Sequence, residues 1–213
     1  MTGDPMATGA DRSFERWAGT AAIATSIGGV LYSAAFLGGV VLGFNPELGA
    51  LVASAALLIG GLLSTVVLVA VYRRVSPGTA EVALIGLVFA LMGALGGIVH
   101  GGYDLANALN PPASNPLQEA GLPSPVDPRG LLTFGMAGLG LLILAVLAYR
   151  DGAFSRPVST FGIALAVLLI LVYLGRLIIL TPTNPLVAVP AGLAGVIVGP
   201  FFYFALGLEL RRR

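Results

Sequence analysis

Residues 50–71 read ALVASAALLIGGLLSTVVLVAV, and Tyr72-Arg73-Arg74 follows at once. The run holds no charged side chain from end to end. About 20 apolar residues take a helix across the hydrocarbon core of a bilayer. A membrane-spanning strand needs only about 10 and alternates in polarity. This run is long and does not alternate, so it reads as a transmembrane helix that stops at an interface marked by Tyr and Arg.

Five further runs on either side pass the same test, at about 18–42, 82–103, 130–149, 158–180 and 187–208. Breaks rich in Pro, Gly, Asn and Arg separate them, such as Asn45-Pro46, Ser76-Pro77-Gly78 and Arg150-Asp151-Gly152. The expected fold class is therefore all-α. The chain reads as a polytopic membrane protein with six transmembrane helices in one bundle, a single domain over residues 1–213. Residues 1–16 form a polar leader. The first apolar run exceeds the roughly 7–15 residues of a signal-peptide core, so it reads as a retained anchor. Residues 104–129 form a long Pro-rich external loop with six of the 14 prolines.

Composition narrows the function classes. The chain is 57% hydrophobic and 10% charged, with a mean hydropathy of +0.95. Soluble domains carry roughly 25% charged residues, so a soluble enzyme and a disordered chain are both excluded. The absence of Cys removes disulfides, thiolate metal sites and iron–sulfur clusters. The absence of Lys removes Schiff-base chemistry. The only histidine, His100, cannot build a His-rich metal centre or a bis-His haem within one chain. No catalytic residue, metal or cofactor is expected, and a net charge of +1 speaks against a nucleic-acid partner. The lipid bilayer is the expected partner.

Nine of the 11 arginines fall on one side: Arg12, Arg16, Arg73, Arg74, Arg150, Arg156 and Arg211–Arg213. By the positive-inside rule that side, and with it both termini, is cytoplasmic. The odd spans end in Asn-Pro at residues 45–46, 110–111 and 184–185. The even spans place Gly61, Gly138 and Gly199 each 12 residues before an Arg. This weak threefold echo suits three tandem hairpins, although Asn-Pro helix stops and positive-inside arginines would produce it too. Small residues four apart (Thr25, Gly29, Ser33; Gly93, Gly97, Gly101; Ala191, Gly195, Gly199) offer close-packing faces, for the bundle itself or for a homodimer or larger membrane complex. Pro200 removes a backbone donor and frees the Val196 carbonyl, so span 6 is expected to bend there.

One polar cluster interrupts the apolar pattern. His100, Tyr103, Asp104 and Asn107 close span 3, and Tyr173 and Arg176 stand at similar depth on span 5. His100 and Asp104 are one helical turn apart, on the face of Gly93 and Gly97. Ionisable residues within a membrane are costly, so Arg176 is expected to reach Asp104, Asn107 or a helix-end carbonyl and to make spans 3 and 5 neighbours. The six residues form either a structural lock or a pocket for an anionic headgroup, a quinone or a small acid.

Tyr149-Arg150, Arg156-Pro157, Leu174-Gly175-Arg176-Leu177, Asn184-Pro185 and the closing run from Gly199-Pro200-Phe201 to Glu209-Leu210 carry a resemblance. In layout, residues 149–210 resemble an uncharacterised family of six-helix bacterial membrane proteins, of the domain-of-unknown-function kind. The resemblance implies six helices in a bacterial plasma membrane and brings no activity or cofactor. The favoured reading is a non-catalytic membrane component, either an accessory subunit or a bundle that binds a lipid or small apolar ligand. The alternatives are a small transporter and a membrane-embedded enzyme using His100 and Asp104 at the outer face.

Overall fold

A computed structural model describes residues 9–114, 127, 129–179 and 184–212. Within them lie six helices long and apolar enough to cross a membrane, packed in one bundle, and no strand. Helix α1 spans Gly9–Ala34 and runs on through a π-helical stretch, Ala35–Val41. Next come α2, Pro46–Val75, and α3, Ala80–Leu109. Helix α4, Leu131–Asp151, opens with a π-helical turn over Leu131–Met136. Helix α5 is Arg156–Ile178, and α6 is Pro185–Arg211 with a π-helical stretch at Leu193–Val198.

Each helix packs against its neighbours in sequence, and α6 returns to pack along α1. The arrangement is a closed ring in chain order, with α2 touching α4 across it. Lipid offers no hydrophobic drive between helices, so backbone approach at small residues sets these contacts. A Cβ on Gly61 would lie 3.0 Å from the Ala94 carbonyl oxygen and 2.8 Å from Ile98. On Gly138 it would meet Ala166 and Ile170 in the same way, and on Gly207 it would meet Gly19 and Ile23. One contact type, a glycine seated over a small residue and an isoleucine one turn later, thus recurs at α2–α3, α4–α5 and α6–α1. It uses Gly207 rather than the Gly199 of the sequence echo. The α6–α1 contact also sits closer to its terminal Arg than the other two.

The Asn-Pro pairs divide in function. Asn45 and Asn184 start helices, where the sequence pattern had them as stops. Their Oδ1 atoms accept from the amides of Leu48 (3.1 Å) and Leu186 (3.0 Å), with Pro in the first turn of α2 and α6. Asn110 instead closes α3 through its own backbone amide, bonded to the Ala106 carbonyl. The Gly93–Gly97–Gly101 stripe is also split. Gly93 lies against Ala137 of α4, while Gly97 and Gly101 face Gly61, Leu58 and Ser54 of α2. These faces are used within the chain, as are Gly29 and Gly195, which meet Pro200 and Ser33 across α1–α6.

Two boundaries depart from the sequence reading. Half of the expected leader is helical, and its Glu15 is held by Arg74. The first six residues of the expected 104–129 loop belong to α3, because polar side chains at a water boundary do not end a helix whose backbone bonds remain satisfied. The rest of that loop lies largely outside the described residues. At Pro200 the chain remains helical: the widened π turn just before it absorbs the missing donor. The Gly195 and Pro200 carbonyls accept from Ser33 Oγ (2.9 Å) and Ser26 Oγ (2.8 Å) of α1. Gly195 and Gly199 both face other helices, Ser33 of α1 and Leu165 of α5.

Candidate functional site at the Arg-poor helix ends

The three π-helical segments all lie in the half of the bundle away from the arginine-rich ends. Such segments are frequent at functional sites. Among the described residues, the polar cluster sits in the same half.

Its centre is Arg129, just before α4. The guanidinium binds Asp127 through Nη2 (2.6 Å) and Nε (3.0 Å), and binds Asp104 of α3 through Nη1 (2.9 Å). The Arg129 amide also donates to Asp127 Oδ1 (3.0 Å), and the Tyr103 ring lies under the guanidinium carbon at 4.8 Å. His100 completes the group. Its Nε2 is 3.4 Å from Asp104 Oδ2 and 4.0 Å from Asp127 Oδ2, and its Nδ1 is 3.5 Å from Thr133 Oγ1. Thr133 has one hydroxyl proton, and it donates to the Arg129 carbonyl at 3.0 Å, so it offers His100 only a lone pair. Burial works against ionisation of Asp127. The side-chain and backbone hydrogen bonds from Arg129 outweigh it and hold the carboxyl below the ordinary carboxylate range.

His100, Tyr103 and Asp104 are therefore brought together as expected. The side chain of His100 is largely buried, that of Asp104 43% exposed. They face α4, on the side of Gly93 and Gly96, whose added Cβ atoms would strike Ala137, Leu132 and Thr133. Asn107 is half-buried a turn further on and makes no side-chain hydrogen bond among the described residues.

The expected Arg176–Asp104 contact is not formed. Asp104 is taken by Arg129, and α4 stands between α3 and α5, which are not packed neighbours among the described residues. Helix α5 ends at Ile178, which puts Arg176 in its last turn, where a cation complements the C-terminal end of the helix dipole. Arg176 is half-buried and, among the described residues, has no hydrogen bond or ion pair, although its charge reaches His100. Tyr173, one turn earlier, packs its ring over Gly135 of α4, 3.0 Å from where a Cβ would stand.

Two participants escaped the sequence reading: Asp127 and Arg129. Asp-x-Arg immediately before an apolar run was the available signal for both. Among the described residues, no group of three His, Asp or Glu side chains has metal-binding geometry. Set against known proteins, the chain matches no family model, no curated protein and no solved structure.

Proposed function

We propose that the chain is a multi-pass component of a bacterial plasma membrane, with both termini cytoplasmic, that has no catalytic role. It binds an amphipathic ligand with an acidic headgroup at the Arg-poor helix ends. The arginine asymmetry supports the orientation, and the resemblance of residues 149–210 supports the bacterial host.

One observation carries the ligand reading. The two carboxylates near His100 share Arg129, while Arg176 keeps a half-buried guanidinium with no acceptor among the described residues. A phosphate or carboxylate headgroup supplies that acceptor. Exposed apolar side chains at the same level, Leu131 of α4 and Leu174 and Leu177 of α5, give a tail a place to lie. The test is native mass spectrometry of the detergent-purified protein with added anionic lipid. Wild type should keep an adduct that Arg176→Ala loses. An adduct of equal strength in both would refute the reading.

A catalytic alternative has a specific observation behind it: Thr133 hydroxyl, His100 imidazole and Asp104 carboxylate stand in sequence at 3.5 and 3.4 Å. Two facts count against it. The Thr133 proton is engaged by the Arg129 carbonyl, and Asp104 is engaged by the Arg129 guanidinium. Labelling of Thr133 by an acyl-transfer probe, abolished by His100→Ala, would revive it.

A further inference from the structure

Helix α6 changes character along its length. In its half at the Arg-poor end, residues 185–198, only Val187 and Ala194 are fully buried. The stretch that follows, Gly199–Arg211, buries six residues, among them Phe202, Leu206 and Leu210. A segment with few buried contacts opens at low free energy. Backbone bonding is thinner there too: Pro190 stands inside the segment with no amide to give, and Pro200 follows it.

The junction between the halves has the parts of a hinge. The Gly199 amide bonds the Ala194 carbonyl, five residues back. In that register the amide missing from Pro200 would have served the Gly195 carbonyl. Ser33 Oγ of α1 donates to that carbonyl instead, at 2.9 Å. One side-chain hydrogen bond thus stands in for a rung of the helix and ties the segment to α1. Ser26 Oγ, by contrast, donates to the Pro200 carbonyl at 2.8 Å, on the well-buried side of the junction. Gly192 has open space where a Cβ would stand, and Gly195 meets only Ser33 Oγ, so neither glycine seats the segment closely. Its firm contact lies at the far end. The buried Val187 side chain sits over Gly175 of α5, 3.1 Å from where a Cβ would stand, and Gly175 adjoins Arg176.

We infer that residues 185–198 form an arm that swings on Gly199–Pro200, latched to α1 by Ser33 and closed on α5 by Val187, and that the arm controls access to Arg176 from between α5 and α6. Control of access rests on the ligand reading of Arg176; the hinge does not.

The chain has no Cys, so introduced cysteines carry spin labels or form a disulfide without background. Val189 and Phe204 are exposed on either side of the junction, and exposed Ile59 of α2 gives a common reference. In the full-length protein in detergent, double electron–electron resonance should show two distances for Ile59→Cys with Val189→Cys. Ile59→Cys with Phe204→Cys should show one. Ser33→Ala should raise the ratio of open to closed arm about fivefold, the loss of one net hydrogen bond, and Ser26→Ala should leave it unchanged. A single distance for the Val189 pair, in wild type and in Ser33→Ala alike, would overturn the hinge. Two distances insensitive to Ser33→Ala would overturn the latch. Gly175→Cys with Val187→Cys should oxidise to a disulfide that ties the arm shut. The oxidised protein should take up phosphatidylglycerol about tenfold more slowly than the reduced protein, read by native mass spectrometry. Equal uptake would overturn the control of access. No adduct in wild type would overturn the ligand reading and the control of access with it, while the label distances still decide the hinge.

Discussion

Each end of the bundle holds an arginine by carboxylate, and the two clamps divide charge differently. At the Arg-rich end one buried guanidinium, Arg74, has one carboxylate, Glu15, contributed by α1 59 residues earlier. At the Arg-poor end Arg129 serves two carboxylates, Asp104 and Asp127, with His100 beside both. The first clamp has no reserve: loss of its acid strands a charge in a place with little water. The second has a spare acid and a more open one. The end richer in positive charge is therefore the more fragile to loss of a single carboxylate.

The largest expected effect follows directly. Glu15→Ala leaves Arg74 unpaired at 7% exposure and should cost about 3 kcal/mol, the low end for a broken buried pair because Glu15 itself is 24% exposed. Asp104→Ala should cost only about 1 kcal/mol, since Asp127 retains Arg129. Thermal unfolding in one detergent measures both. Equal losses would erase the difference between the two clamps.

A smaller effect belongs to the turn that follows α4. Gly152 has φ of +64°, the left-handed conformation that lets its amide bond the Ala148 carbonyl and swings Phe154 beneath Arg74. Gly152→Ala should cost about 1 kcal/mol through backbone strain. Gly60→Ala, in α2 with open space where its Cβ would stand, should change stability by less than ~0.5 kcal/mol. A tolerant Gly152 would mean that this turn does not help seat Arg74.

The smallest effect is a pH dependence confined to the Arg-poor end. Asp127 titrates below the ordinary carboxylate range in the folded chain because Arg129 bonds its ionised form. It therefore binds more protons unfolded than folded as pH falls past about 4. Its contribution is complete above that range and is lost as pH drops through its lower folded value. Wild type should lose more stability between pH 6 and pH 3 than Asp127→Asn does. Parallel curves would show that Asp127 contributes nothing.

The sequence was legible where a single segment decides its own state. Six apolar runs of bilayer length, with Arg176 the one charged side chain inside them, could only become helices, and all six appear, although α1 begins earlier and α3 ends later than expected. It was less legible at boundaries: Asp104 and Asn107 look like loop, yet α3 carries them to Leu109. Partner choice was least legible. Arg129 reaches Asp104 across 25 residues, most of them without helical periodicity, and Glu15 reaches Arg74 across 59. Matched depth suggested Arg176 for Asp104. Depth fixes height in the bilayer but not position around the ring, and α4 occupies the place between.

Arg176 is the residue on which the functional account rests, and a lipid titration of Arg176→Ala beside wild type tests it most directly. Both proteins should melt within about 2 °C of each other, and combining Arg176→Ala with Asp104→Ala should be additive within ~0.5 kcal/mol, because the two side chains do not meet. Only wild type should retain an anionic-lipid adduct by native mass spectrometry. An adduct that survives the substitution, or a melting loss as large as that of Glu15→Ala, would contradict the account and make Arg176 a structural residue.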